Sequence, residues 1–155
     1  MSRNAINLTF PITPKAKQSF RISKHGHHKD PAVEKYQESI KAMALAQTKP
    51  SQRNQSGMLF VSVEFVYSWP KTWAKGRLAK AQENICYRIA RPDVDNLCKG
   101  VFDALNGLIW VDDSQIVCIH AWKRYGDSDQ IIMRVWPADE NHLTGSARQN
   151  RLFTV

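Results

Sequence analysis

One stretch constrains this 155-residue chain more than any other: RPDVDNLCKGVFDALNGLIWVDD, from Arg91 to Asp113. Val94, Leu97, Val101, Leu105 and Leu108 recur at helical spacing, which predicts a helix that buries one apolar stripe. Pro92 pre-sets a helical φ near the start, and Arg91 before it is expected to be extended. Asp95, Lys99 and Asp103 step by four and share a second, polar face. Asn106-Gly107 is expected to end the helix, since both residues tolerate the left-handed turn a C-terminus needs. The chain then returns toward itself and delivers Asp112 and Asp113 where a strand begins. Carboxylates arriving from two separate elements are how a protein builds a site for a hard divalent cation.

A plainer account of the same residues exists. Aspartate is favoured at helix N-termini by capping and by the macrodipole, with no function required. The charge distribution argues for more. The chain carries 22 Lys and Arg against 14 Asp and Glu, a net +8, yet residues 92–140 hold four basic and nine acidic residues. An acidic cluster inside a basic protein suits a cation held next to a polyanion.

The remaining chain supplies the scaffold and the basic surface. With 43% hydrophobic residues it is long enough to bury a core as one domain. Asn4–Ile12 alternates Ile6, Leu8 and Phe10 with polar neighbours and predicts a strand, stopped by Pro11 and Pro14. The loop that follows carries Lys15, Lys17, Arg21, Lys24 and Lys29 with no acid, a composition suited to phosphate contacts. His25, His27 and His28 lie there without a carboxylate or cysteine close in sequence, so they are not read as metal ligands. Asp30 is placed to cap a helix that has Pro31 in its first turn and runs to about Gln47. Lys49–Gly57 reads as a polar linker, and Met58–Tyr67 as a strong strand. Residues 1–57 hold ten basic and three acidic residues, most of the excess charge.

Lys71–Asn84 predicts a short basic helix with a weakly packing apolar side, and Ile85–Ala90 leads into the central stretch. Ser114–Tyr125 and Gln130–Trp136 predict two strands joined by a turn around Gly126-Asp127. Residues 141–155 lack periodicity and are expected to form a loosely held tail after a domain spanning 1–140. The order strand, helix, strand, short helix, helix, strand, strand predicts an α/β (α+β) domain: a mixed sheet of about four strands packed by two main helices.

Three cysteines without a C-x-x-C read as reduced thiols of a cytoplasmic protein, neither a disulfide framework nor a zinc site. No apolar run approaches the ~20 residues of a membrane span, and the polar start MSRNAINLTF does not read as a signal peptide.

R-P-D-V-D-N-L-x-K-x-x-F-D-A-L-N-G followed by W-x-D-D-S-Q-I-V resembles the signature of RusA-type Holliday-junction resolvases, small endonucleases of phages and prophages. The resemblance runs almost unbroken from Arg91 to Val117 and extends more weakly over most of Asn4–Trp136. It implies a RusA-like fold, a homodimer, and branched DNA (four-way junctions) as the partner. It further implies that Asp93, Asp95 and Asp113 are metal-binding catalytic carboxylates and that Lys99 is an essential lysine.

Chemistry supports that assignment of roles. Two like charges ~4 Å apart repel by roughly 4 kcal/mol at an effective dielectric near 20, so gathered carboxylates need a cation or protons. Mg²⁺ is the expected cofactor, with Mn²⁺ as a substitute, because it accepts few protein oxygens and completes its shell with water and phosphate. Lys99 is either half of an i,i+4 ion pair with Asp95 or a cation directed at the scissile phosphate. Asn96 and Asp112 are expected to support the ligands from behind, and Asp103 to be a surface residue. Lys15, Lys17, Arg21 and Arg91 are the expected DNA contacts. Two other classes remain open at this level. One is a D-x-D transferase or an aspartate-nucleophile phosphatase; the other is a DNA-binding module without catalysis.

Overall fold

The apolar stripe of the central segment is what the other elements close upon. In the computed structural model, which describes residues 5–16, 30–83 and 85–138, helix α3 spans Val94–Leu105 and fully buries Leu97, Val101 and Leu105. Helix α1, Pro31–Gln47, adds Ile40 and Ala44 to the same core. Burying each large aliphatic side chain stabilises the fold by about 1.5–3 kcal/mol.

The helices cover one face of a four-stranded sheet in the order β1-β4-β2-β3, with β1 Ile6–Phe10, β2 Leu59–Ser68, β3 Ile116–Gly126 and β4 Gln130–Pro137. Alternation puts Ile6, Leu8 and Phe10, then Val61, Val63 and Phe65, then Ile131, Met133 and Val135 on the helix side. β4 runs antiparallel to both β1 and β2, whereas β3 runs parallel to β2. A parallel neighbour needs a long crossover. Here that crossover contains the short basic helix α2, Lys75–Gln82, and then α3. The result is a single α+β domain, as the element order predicts.

The structure refines several expectations. Asp30 caps α1, its Oδ1 accepting from the Ala32 N–H at 2.9 Å. The stretch 49–57 is more than a linker. Arg53 donates to the Leu45 and Thr48 carbonyls at the end of α1, and Asn54 and Gln55 donate from the backbone to Leu108 and Ile109. At the end of α3 only Gly107 adopts a left-handed conformation, φ 69°; Asn106 is extended. Asp103 is half-buried rather than a surface residue, with one carboxylate oxygen shielded from solvent beside α1. Residues 85–88 add an antiparallel bridge on the outer edge of β3, where Arg88 N–H donates to Lys123 O and Tyr125 N–H to Cys86 O. The tail 141–155 lies outside the described residues.

β3 and β4 follow one another closely but do not pair, because β2 lies between them. Their turn therefore passes over the end of β2, and side chains fasten it there. Asp129 accepts from the Ser68 N–H and the Thr13 hydroxyl, both at 2.6 Å, and Asp127 accepts from the Trp69 indole at 3.0 Å. Burial alone would raise the Asp129 pKa, but those hydrogen bonds and the nearby Arg88 charge hold it below the ordinary 3.8. A depressed carboxylate stabilises the fold above its unfolded pKa, and that contribution disappears as pH falls through the folded value. Asp129→Asn is accordingly expected to lower the urea midpoint at pH 7 and to flatten the loss of stability between about pH 5 and 2. Parallel acid-dependent curves for the variant and the wild type would refute this role.

Candidate active site

Asp93 occupies the N-cap of α3, with extended backbone, yet its side chain makes no capping hydrogen bond. The capping reason for an aspartate at this position is therefore not realised, and the exposed carboxylate is left available. Asp95 lies in the first turn, and its Oδ2 is 3.6 Å from Lys99 Nζ one turn further on. Both side chains are about two-thirds exposed. An ion pair so hydrated is worth only ~0.3–0.5 kcal/mol, so the ammonium remains free to turn toward another anion. Asn96 is half-buried beside them.

The backbone leading into Asp93 is held by two cations that the sequence reading passed over. Lys123 Nζ donates to Ala90 O at 3.0 Å and to Pro92 O at 2.7 Å. Arg88 Nη1 donates to Ala90 O and to Arg91 O, both at 2.6 Å. Carbonyls of three successive residues are thus fixed by charged donors, the stronger class of hydrogen bond. A signal existed for Lys123. It pairs in register with Phe65 on the core-facing side of the sheet, where a lysine must find oxygen partners. Arg91 itself is exposed, and its bond to Pro92 is cis.

The same corner anchors the root of the basic loop. Tyr36 accepts from the Lys15 N–H at 3.0 Å, and Tyr67 donates to Pro14 O at 3.1 Å. Burial pushes the Tyr67 hydroxyl up to about 12, so it stays a donor at physiological pH. The Arg88 guanidinium lies over the Tyr67 ring at 4.1 Å. Lys15 and the approach to Asp93 are therefore joined through Tyr67 and Arg88. Lys15 is exposed, whereas Lys17, Arg21 and the three loop histidines lie outside the described residues.

Asp112 and Asp113 sit elsewhere. Asp112 Oδ1 accepts from the Ser114 N–H at 2.9 Å and caps the 3₁₀ turn Asp113–Gln115. The Ser114 side chain and backbone hold its carboxyl below the ordinary range. Asp112 therefore shapes the turn that presents the exposed Asp113. That turn precedes β3, and Gln115 ties it to the start of β2 through Gln55 O and Gly57 O. The N-terminus of α3 lies at the other end of β3, against Lys123. From Ile116 to Lys123 is about 23 Å at ~3.3 Å per strand residue. Ligands of one Mg²⁺ or Ca²⁺ lie within about 2.0–2.6 Å of it, so a single chain does not close Asp113 upon Asp93 and Asp95. Consistently, no group of three or more His, Cys, Asp or Glu is spaced to hold a metal among the described residues.

Cys98 faces the groove beside Asp95, where burial, reinforced by the Asp95 charge, pushes its thiol up to about 11. It is a packing thiol, not a nucleophile. No helix among the described residues is long and apolar enough to cross a membrane.

Comparison with known proteins now bears on the site. The chain is similar to an uncharacterized protein, YqaN of Bacillus subtilis (strain 168), with 35% identity over 107 residues, covering 68% of this chain and 75% of that one. Residues 10–135 match the family described as Endodeoxyribonuclease RusA, a span that includes every described strand but the first four residues of β1 and the end of β4, and all of α3. With the match covering most of the chain and the whole of the aspartate-bearing stretch, the protein belongs to the RusA endodeoxyribonuclease family.

Proposed function

We propose that the protein is a Mg²⁺-dependent endodeoxyribonuclease that resolves four-way DNA junctions by paired phosphodiester hydrolysis in recombination and repair, acting as a cytoplasmic homodimer. The observation that carries this reading is the exposed carboxylate pair at the start of α3, Asp93 uncapped and Asp95 beside Lys99, within the stretch shared with an endonuclease family. Asp93 and Asp95 are the part of the metal site that the first turn of α3 supplies, and Asp113 is its third carboxylate. A divalent cation bound there would neutralise charge on the scissile phosphate.

The protein's own residues provide the rest. Unpaired N–H groups at the first turn of α3 favour an anion. Lys99 swings from Asp95 toward the phosphate and stabilises charge that develops as the bond breaks. Arg88 and Lys123 act as positioning residues: by fixing the carbonyls of 90–92 they fix where Asp93 emerges. Lys15, with Lys17, Arg21 and Arg91, supplies phosphate contacts that set the affinity without reading sequence. The transferase and phosphatase alternatives place their aspartates at the end of an apolar strand, whereas this D-x-D opens a helix.

The decisive assay is cleavage of a synthetic four-way junction with and without Mg²⁺. Two opposed strands should be nicked only with the metal. Asp93→Asn, Asp95→Asn and Asp113→Asn homodimers should each lose at least 100-fold in rate while binding the junction as tightly as before or more so. Near-normal nicking by any of these variants would remove that residue from the centre.

Lys99→Ala is expected to lose most of its cleavage rate with the melting temperature nearly unchanged, since its ion pair is worth so little. A large drop in melting temperature with specific activity retained would make Lys99 a structural residue.

Lys123→Met should cost about 1.5–3 kcal/mol in urea unfolding, the value of hydrogen bonds to a charged group. Under folded conditions it should lower kcat more than it weakens junction affinity. Equal loss of both, or of neither, would count against the positioning role.

A further inference from the structure

We propose that the cleft beneath helix α2 is a second nucleic-acid site, which holds an unpaired nucleotide of single-stranded DNA. It uses neither the carboxylates nor a metal, so it goes beyond the nuclease reading and does not rest on it. The helix itself is what needs explaining. None of its eight residues, Lys75–Gln82, is buried, and Ala74 at its N-cap offers no capping side chain. An isolated helix so short is marginal in water, and core burial does not account for it. The turn before it sets Trp73 edge-on to Tyr125 at 5.1 Å and beside Trp69 at 5.9 Å. Arg77 lies over the Trp73 ring at 4.0 Å.

Between the end of α2 and the β3–β4 turn this arrangement leaves an open cleft of about 750 Å³. That is the size of a small-ligand site. Trp69 and Tyr125 form an aromatic wall, their rings 6.1 Å apart and within 23° of parallel. Gln82, Ser128 and Gln130 bring amide and hydroxyl groups to it, the kind that meet the edge of a base. Arg124 also lines the cleft but is committed, donating to Glu64 and, at 3.1 Å, to Tyr125 O. The two acids that line it are Asp127, which accepts from the Trp69 indole and so fixes that ring, and the exposed Glu83.

Charge selects the occupant. Residues 71–82 carry Lys71, Lys75, Arg77 and Lys80 and no acid. Among the described residues none of these four has a carboxylate partner. Aromatic grooves also take proline-rich peptides, but unpaired cations beside the rings favour a polyanion. Duplex DNA hides its base faces. A single strand offers phosphates and a π face together, the combination that single-strand binders use. The cleft lies at the end of β3 that serves Asp93. Tyr125 is two strand residues, about 7 Å, from Lys123, which grips the carbonyls before that aspartate. Cys86 O accepts from the Tyr125 N–H at 2.8 Å, so the chain runs from the cleft straight to residues 90–92. A nucleotide seated here belongs to a strand peeled open beside the carboxylate pair.

The test is fluorescence anisotropy in EDTA with two labelled probes, a twelve-nucleotide oligo(dT) and an abasic strand with the same number of phosphates. Wild-type protein should bind oligo(dT) about 5- to 150-fold more tightly, the range for one stacked base. Trp69→Leu should erase that difference, while Trp69→Phe, which keeps a ring, should retain it. Lys75→Ala, Arg77→Ala and Lys80→Ala together should lower the log–log salt slope by about 2, since each single-strand phosphate contact contributes ~0.7. Those three positions are exposed, so the triple variant keeps its fold.

Equal affinity of the wild type for the two probes overturns the proposal, as does a salt slope that the triple substitution leaves unchanged. A preference for oligo(dT) that survives in Trp69→Leu, with melting curves showing it folded, overturns it too. If Trp69→Leu does not fold, the wild-type comparison and the triple variant decide the matter between them. No cleavage is read, so failure here leaves the nuclease reading untouched. A protein that prefers oligo(dT) in this way yet cuts no junction removes the nuclease reading alone.

Discussion

Burial of the Leu97, Val101 and Leu105 stripe in the core that α1 and the sheet complete is the interaction on which the rest depends. It sets the rotation of α3 about its axis. Once that stripe faces the sheet, Asp95 and Lys99 must face outward, since they are offset from it around the helix. The polar face is thus a consequence of apolar packing. No separate device is needed to expose the carboxylates.

Electrostatics then fixes position along the axis. The segment 90–92 has no regular pairing of its own, and its carbonyls are taken by Arg88 and Lys123 instead. Those cations serve the core and the site together. Arg88 packs on Tyr67, which also holds the root of the basic loop. The result is a corner where positive side chains hold backbone oxygens and negative ones remain exposed.

The turn after β3 shows another consequence of topology. With β2 inserted between β3 and β4, three residues must pass over a strand end, and Asp127 and Asp129 fasten them to it. Four aspartates that look alike in sequence therefore divide by use. Asp112 and Asp129 spend their oxygens on backbone N–H groups, while Asp93 and Asp113 do not. Composition cannot separate these roles, because capping and cation binding both favour a short carboxylate near a helix or turn start.

The sequence by itself determined the elements and their faces. Alternation in β1 and β2, the Asp30-Pro31 start of α1 and the stripe of α3 are local patterns, and local sterics and burial read them directly. It also determined which residues are chemically distinctive, since R-P-D-V-D-N with a following K is specific enough to indicate the family that the match over residues 10–135 shows. Tertiary structure decided everything that depends on separation through space. It placed β4 beside β2, brought Lys123 to the carbonyls before Asp93, and held Asp113 at the far end of a strand whose neighbour carries Asp93. The physical reason is that a helix of about 18 Å and a strand run antiparallel through this core, so residues close in sequence pattern end at opposite ends of it.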